Sequence, residues 1–538
     1  MHGGLKVYRG SPAAARSYVE ADRGRADDYY LAEGTGVAQR YVASPEAGVR
    51  DGGTLNGDGY EAWVAGYDLE TGAPKGRVRT DAAAVRFVEV VVNGPKSWSL
   101  AAALGPEIAA AYDRAQDRAA EQVIGWLAQH ASTRVGPRGQ QVQVPVQEIE
   151  AAVVRHYTSR AGDPHRHLHL QINARVFAED TWRGLHTVGV RDSLGAINGI
   201  GHAAVMCDPD FRAALAGRGF TLEAASGEIV ELAGFVGPFS ARAAQIARNV
   251  DRFEATWRLA HPGAEPGPRL RRSWDARAWA QDRPDKVVPK DGAELARAWV
   301  QELAGLGYHD PDRARIPAAA GQPVRVGTLD RDGAARDVLT RLGARRSGWN
   351  AADVRGQVEQ LIAASGISCG APARLELAED LTARALALCV PLLGHAGLPE
   401  HIRALTSQQV LDVEADLSAR FIARAADSSR TQPARGHPSA HPRAHAGEGL
   451  AGAGLGWEAL DGLDAGQRQV VAAMTGGHRL LVIEGAAGAG KTTTLAATRT
   501  ALDSQGRRLV VVTPTLKAAT IAAQQVGAPA FSAAWRGH

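Results

Sequence analysis

The stretch RHYTSRAGDPHRHLHLQINARVF, Arg155 to Phe177, alternates from its centre onward, with Leu168, Leu170, Ile172 and Ala174 set against His167, His169, Gln171 and Asn173. A period of two residues is the signature of a half-buried strand, because successive side chains leave a pleated strand on opposite sides. One face must pack on a core. The other then carries two imidazoles on one side, about 6–7 Å apart, close enough to share one metal ion. His165 would lie on that face too, where the strand begins after Pro164. His156 precedes this strand, across the polar segment TSRAGDP, which reads as a turn. A strand, a turn and a returning strand would bring it beside the pair. Three imidazoles on one cation leave its other positions open for substrate, which suits catalysis better than a purely structural site.

Two plainer readings compete. Imidazoles on a solvated strand face can be no more than wet surface. The histidine-triad nucleotide hydrolases also alternate histidine with apolar residues. Here, though, Arg166 stands where that pattern needs an apolar side chain, and 538 residues far exceed that small domain.

A chain of this length suggests about three domains. Its 45% hydrophobic and 22% charged residues are ordinary for a soluble globular protein. A net charge of +3 neither demands nor excludes nucleic acid, since a binding groove needs local rather than total charge. Cys207, Cys369 and Cys389 are scattered and fit no zinc or disulfide framework, which points to a reducing cytoplasm. The N-terminus lacks an apolar signal core and no apolar run is long enough for a bilayer, so no membrane insertion is expected.

Residues 1–240 mix strand and helix patterns. FVEVVVNG, from Phe87, is a β-branched run that predicts a buried strand, and Pro106 to His130 carries apolar residues at helical spacing. Residues 241–427 read as a mainly helical connector. Residues 428–454 read as a polar, Pro-rich linker whose His437, His441 and His445 have no fixed backbone to gather them. Residues 455–538 open a P-loop lobe. In LLVIEGAAGAGKTTTLAATRTAL a strand, a Gly-rich loop and a helix follow one another, and Gly485, Gly490, Lys491 and Thr492 fill the G-x-x-x-x-G-K-[ST] pattern, with Gly488 inside the loop. Backbone N–H groups of such a loop curl around phosphate oxygens. Lys491 would reach the β/γ-phosphates and the Thr492 hydroxyl would hold Mg²⁺. Gln467 stands upstream, where many helicases use glutamine to read the adenine edge. A second strand in RRLVVVTPT precedes Thr513, Pro514 and Thr515, where such motors place a loop that contacts single strands. No acidic Walker B pair and no arginine finger follow before His538. ATP/Mg²⁺ binding at the loop is therefore expected to be weak or non-productive, without unwinding.

Five of the ten tyrosines, Tyr8, Tyr18, Tyr29, Tyr30 and Tyr41, fall near the N-terminus. Isolated aromatics in a polar segment usually anchor packing. Tyrosine is also a nucleophile toward phosphodiesters. Its attack on phosphorus gives a phosphotyrosine ester that preserves the energy of the broken linkage, so the exchange is reversible and requires no ATP. A phenol of pKa about 10 needs activation, which a metal-bound phosphate supplies.

Taken together, SYVEADRGRADDYY, NGPKSWSL, HYTSRAGDPHRHLH, ARRSGWNAADV, LTSQQVLDVEADL and EGAAGAGKTTTLAA occur in the order found in one family. The chain resembles the MobF class of conjugative relaxases, the TrwC/TraI-like relaxase–helicases, in their actinobacterial form. The resemblance covers nearly the whole chain and implies a truncation within a RecD-like helicase domain. It implies an α+β HUH (His-hydrophobe-His) endonuclease domain with an antiparallel sheet, then the helical connector, then a partial α/β P-loop NTPase lobe. It assigns His156, His167 and His169 as metal ligands, with Mg²⁺ or Mn²⁺ as the ion, and His165 as a non-ligand. Tyr18 aligns with the first catalytic tyrosine and Tyr29 with the second, with Tyr30 adjacent. Glu89 takes the place of an aspartate that orients a ligand histidine or accepts the tyrosine proton. The function implied is site- and strand-specific nicking of DNA at an origin of transfer through a 5′-phosphotyrosine intermediate, initiating conjugative transfer. Single-stranded or supercoiled DNA, relaxosome accessory proteins and a coupling ATPase are the implied partners. Arg77, Arg79, Arg155 and Arg160 are candidate phosphate contacts. The competing reading is a DNA-dependent motor fragment with a non-nicking DNA-binding N-terminal module. A cupin-like metal enzyme fused to an ATPase accounts for neither the tyrosines nor GPKSWSL.

Overall fold

The computed structural model describes residues 4–23, 36–137, 139–159, 161–261, 266, 268–281, 292–311, 324–394, 398–430, 462–485, 489–513 and 516–532. They divide into two compact units, Met1–Ala243 with Pro284–Leu411, and Ala244–Arg283 with Asp412–His538.

The first unit opens with β1 (Leu5–Tyr8), α1 (Pro12–Arg23), β2 (Ala38–Ser44), β3 (Gly48–Leu55), α2 (Gly57–Ala65), β4 (Phe87–Asn93), α3 (Lys96–Leu104) and α4 (Pro106–His130). A hairpin of β5 (Ser132–Val135) and β6 (Val142–Pro145) follows, then β7 (Ile149–Thr158) and β8 (Pro164–Asn173). The central sheet has six strands in the order β1-β4-β8-β7-β2-β3, with every pairing antiparallel. The long helix starts on Pro106, whose missing N–H costs nothing in the first helical turn. Its Ile108, Tyr112, Ala115, Ala119, Val123 and Leu127 pack in one core with Val88, Val90 and Val92 of β4 and Leu168, Leu170 and Ile172 of β8.

The opposite sheet face is not simply wet. A second cluster covers part of it, joining Ala15 and Val19 of α1, Tyr60, Trp63 and Val64 of α2, and Ala152 and Val154 of β7. The α2 helix is bounded by local signals: Asn56 Oδ1 accepts from Gly59 N at 2.7 Å, and Gly66 closes it at φ +92°, a left-handed position suited to glycine.

The same unit continues through β9 (Arg175–Ala178), β10 (Thr181–Gly184), α5 (Thr187–Asp192), α6 (Leu194–Met206) and α7 (Pro209–Gly217). Beyond α8 (Ala241–Ala260), α9 (Pro268–Ala280) and α10 (Gly292–Gly305) come α11 (Arg331–Gly343), α12 (Ala351–Ala364) and α13 (Ala371–Ala387). Of these, α8 and α9 fall almost wholly in the second unit, whereas in the first unit α12 packs on α6 and α13 packs on α12. Arg374 of α13 is buried between Glu359 of α12 and Gln122 of α4, and Cys369 N donates to Cys207 O at 3.0 Å. After β11 (Cys389–Pro391), β12 (Leu405–Ser407) and α14 (Gln408–Arg430), the second unit holds α15 (Ala465–Thr475), α16 (Lys491–Ser504), β13 (Val511–Thr513), α17 (Leu516–Val526) and β14 (Ala530–Ser532), with β13 and β14 parallel. The expected linker histidines His437, His441 and His445 lie outside the described residues. No described helix is long and apolar enough to cross a membrane.

Candidate metal centre

Three imidazoles meet on the sheet face that α1 and α2 partly cover. The β8 strand delivers His167 and His169 to one side because they are two residues apart, and β7 places His156 directly opposite His167. The reversal between the strands is the expected turn: Ser159 N donates to Asp163 O at 2.9 Å, and Gly162 takes φ +82°. Ligand atoms of the three rings all lie within 4.8 Å of one another. His167 Nε2 and His169 Nε2 are 3.2 Å apart. Two nitrogens bound to one ion at about 2.1 Å, at right or tetrahedral angles, are separated by about 3.0–3.4 Å. The donor set therefore fits a divalent cation.

His165, the fourth histidine of the segment, has a different place. Its ring stacks on His167 at 4.4 Å between centroids, and its carbonyl oxygen is 2.7 Å from His167 Nδ1. A carbonyl only accepts, so Nδ1 carries the proton and Nε2 keeps its lone pair for a cation. Burial, together with the neighbouring imidazoles, holds His167 well below its ordinary pKa, which keeps it in the neutral form that ligation requires.

Glu89 of β4 sits on the same face. Its Oε1 is 3.2 Å from His169 Nδ1, an ion-pair distance with the oxygen off the line of the ring N–H. Its Oε2 accepts from Gln171 Nε2 at 3.1 Å, and Gln171 Oε1 accepts from Tyr60 Oη at 2.7 Å. Burial alone would raise the Glu89 pKa, but His169 and Gln171 outweigh it and the carboxyl lies below its ordinary value. Tyr60 and Gln171 were not singled out by sequence reasoning. Gln171 carried a signal, since it shares the face of the histidines, whereas nothing local pointed to Tyr60.

Tyr18 stands on α1, whose Ala15 and Val19 are buried against the sheet-face cluster while Tyr18 is 38% exposed at the edge of that buried stripe. The helix is tied to α2 by Arg16, which pairs with Glu20, Asp58 and Glu61. Burial pushes the Tyr60 phenol well above its ordinary pKa, against the hydrogen bond with Gln171. Tyr29 and Tyr30 lie outside the described residues.

Residues 12–306, more than half of the chain and the whole of the sheet face just described, match the model of the TrwC relaxase family. The chain belongs to the TrwC relaxase family. Residues 462–536 match an AAA domain. Similar solved structures include the conjugative relaxase TrwC in complex with OriT DNA in a metal-free form, 21% identical, covering 57% of this chain and 99% of that chain with a TM-score of 0.42. A metal-bound form of that complex is 21% identical, covering 57% of this chain and 100% of that chain with a TM-score of 0.42. TrwC with a 27-mer DNA comprising the recognition hairpin and the cleavage site is 19% identical, covering 57% of this chain and 100% of that chain with a TM-score of 0.41. A search among curated proteins finds no match.

Within this TrwC relaxase-family domain one expected DNA contact needs correction. Arg155 neighbours His156 on β7 and so points to the opposite sheet face, where its guanidinium bonds Asp113, Gln116 and Asp117 of α4. It is a strut between sheet and helix and is not available to a phosphate. Arg79 pairs with Asp81 at 2.7 Å, Arg77 is exposed, and Arg160 lies outside the described residues.

In the AAA-matching segment, Gly490 takes φ +67° and caps α16. Lys491 Nζ donates to Gly485 O at 2.7 Å across the loop, and Thr492 follows in the first turn of the helix. Gln467 lies beside the loop, its Nε2 donating to Ala489 O at 3.2 Å, while its backbone and Oε1 form a capping box with Asp464. Gly488 lies outside the described residues. The strand expected before the loop is not formed: Leu481, Val482 and Ile483 are exposed and have no ladder partner among the described residues. Apolar, β-branched composition makes a strand only where a neighbour supplies the ladder.

Proposed function

We propose that this chain nicks one strand of DNA at an origin of transfer, with Tyr18 as nucleophile and a divalent ion, Mg²⁺ or Mn²⁺, held by His156, His167 and His169. The observation that carries this reading is the convergence of three imidazoles on a sheet face partly covered by the helix that bears Tyr18. Family membership supports it. The ion would supply positive charge to the phosphate oxygens. The Tyr18 oxygen attacks phosphorus, the P–O3′ bond breaks, and the leaving oxygen becomes a 3′-hydroxyl while the 5′ phosphate stays on the tyrosine. A second tyrosine, Tyr29 or Tyr30, would serve the reverse transfer. The contact of Glu89 with His169 Nδ1 favours an orienting role over proton acceptance. Arg77 is a candidate phosphate contact. Relaxosome proteins and a coupling ATPase would be the partners in the cell. Residues 1–240, the helical 241–427, the 428–454 linker and the 455–538 lobe remain the proposed division of labour.

The test is incubation of the chain with supercoiled plasmid carrying the cognate origin and Mg²⁺ or Mn²⁺, followed by denaturation and a search for protein joined to DNA. No adduct with any divalent ion would defeat the reading.

Two graded outcomes follow from the hydrogen-bonded chain behind His169. Glu89→Gln keeps the shape and removes the charge, so Mn²⁺ affinity measured by calorimetry should fall by about 10–100-fold. Tyr60→Phe removes one buried hydrogen bond two links further out, and should weaken Mn²⁺ by a smaller factor. Equal affinities in all three proteins would show that the chain does not orient the ligand. Lys491→Ala should abolish any nucleotide binding at Gly485–Thr492 and leave nicking unchanged, because phosphotyrosine exchange draws nothing from ATP. A nicking rate that falls with this substitution would contradict that separation.

A further inference from the structure

One charged group beside the histidines has no task in the reading above. Lys96 is the first residue of α3, just beyond β4, whose last residue Asn93 pairs with His167. Its Nζ donates to Pro164 O at 3.0 Å, at the first residue of β8. The ammonium thus sits on the backbone of the residue that precedes His165.

The surroundings of Lys96 disfavour a cation. Burial pushes its pKa down to about 8, against a weak pull from Asp163. Among the described residues no carboxylate lies within 4.0 Å of its Nζ. Asp163 instead accepts from Ser159 Oγ at 3.0 Å. Lys96 also stands in the first turn of a helix, where the backbone dipoles repel positive charge. Lys75, a buried lysine of this unit, shows what a settled one looks like. Lys75 Nζ is 2.7 Å from Glu150 Oε2 and 3.7 Å from Asp68 Oδ2, and it lies 4.4 Å from the centroid of the Trp182 ring. A desolvated cation without such partners lowers stability, and that cost is typical of groups kept for an anionic ligand.

We propose that Lys96 is a phosphate-holding residue, its ammonium binding a non-bridging oxygen of a DNA phosphodiester seated at the histidine cluster. This rests on the nicking function proposed above and adds a residue to it. A lysine contributes a compact point charge rather than a bidentate fork, which suits one oxygen of a phosphodiester monoanion. Lys96 stands at the end of the sheet where β4 stops and β8 starts, the end at which His167 pairs with Asn93.

The test uses the full chain loaded with Mn²⁺, titrated with inorganic phosphate in a calorimeter, for the parent protein, Lys96→Met and Lys96→Arg. The phosphate Kd should rise by about tenfold or more in Lys96→Met, the effect of losing one charge-assisted hydrogen bond, and stay within about threefold in Lys96→Arg. Mn²⁺ affinity should be unchanged, and the Tm of Lys96→Met should be equal or higher, since a partly buried charge without a carboxylate partner has gone. In the plasmid assay the rate of adduct formation should fall by about 10²-fold in Lys96→Met and recover in part in Lys96→Arg. Unchanged phosphate affinity and adduct rate in Lys96→Met overturn the inference with nicking intact. So does a Lys96→Met protein whose Tm and Mn²⁺ affinity drop together, since Lys96 would then only brace the start of β8. If the parent protein forms no adduct while the phosphate titrations behave as expected, the nicking reading fails and the phosphate site stands.

Discussion

His167→Ala and His169→Ala should each abolish nicking of origin plasmid while leaving affinity for single-stranded DNA within a few-fold. A metal ion at a phosphoryl centre contributes several kcal/mol of charge stabilisation. Each 1.4 kcal/mol is about tenfold in rate, so losing the ion costs about 10³-fold or more. DNA affinity rests instead on backbone phosphate contacts and stacking spread along the strand. The fold should survive. Both side chains lie on a face whose packing is carried by α1, α2 and β7, while Leu168, Leu170 and Ile172 hold β8 from the other side. The substitution at 167 also frees His165 O, which now meets His167 Nδ1, at an expected stability cost of about 1–3 kcal/mol. The measurements are Mn²⁺ binding, adduct yield and DNA affinity on the same preparations. Full nicking in EDTA, or an active His167→Ala protein with no bound Mn²⁺, would remove the metal from the mechanism.

The histidine centre was legible because its geometry is local. A period of two puts His167 and His169 on one side whatever the rest of the chain does, and the turn at Gly162 returns β7 so that His156 falls opposite His167. The α4 helix was equally plain, since Pro106 and the apolar spacing up to His130 are features of one segment. The sheet order was not legible. In β1-β4-β8-β7-β2-β3 most neighbours are far apart in the chain, and no local pattern records which strand lies beside which. For the same reason the link from Tyr60 to Gln171 was invisible, although Asn56 and Gly66 marked the ends of the helix that carries Tyr60. Arg155 was readable and was misread. Once His156 is placed on a strand, the residue before it must face the other way, into the acidic side of α4. Apolar residues before the P-loop predicted a strand, but composition cannot supply the neighbour a ladder needs.

Tyr18→Phe should eliminate the covalent adduct and leave the rest of the molecule nearly as it was. The substitution removes one oxygen from a side chain that is 38% exposed, so no cavity opens in the core. The packing of α1 depends on Ala15 and Val19, and its tie to α2 depends on Arg16, none of which the change touches. Stability should therefore stay within about 0.5 kcal/mol, the usual range for a surface change. Mn²⁺ and DNA affinities should also hold, which separates the loss of a nucleophile from the loss of a binding group. The chemical effect has no such ceiling. Without a hydroxyl there is no oxygen to join to phosphorus, and water, which could still be activated by the ion, would give a nick with no attached protein. The decisive measurement is denaturing electrophoresis of protein on labelled DNA, run beside a count of nicked circles. Loss of adduct with residual free nicking is the signature of a missing nucleophile above an intact metal centre. An adduct that persists in Tyr18→Phe and vanishes in Tyr29→Phe would move the first attack to the second tyrosine cluster. In that case α1 would position the strand rather than cut it.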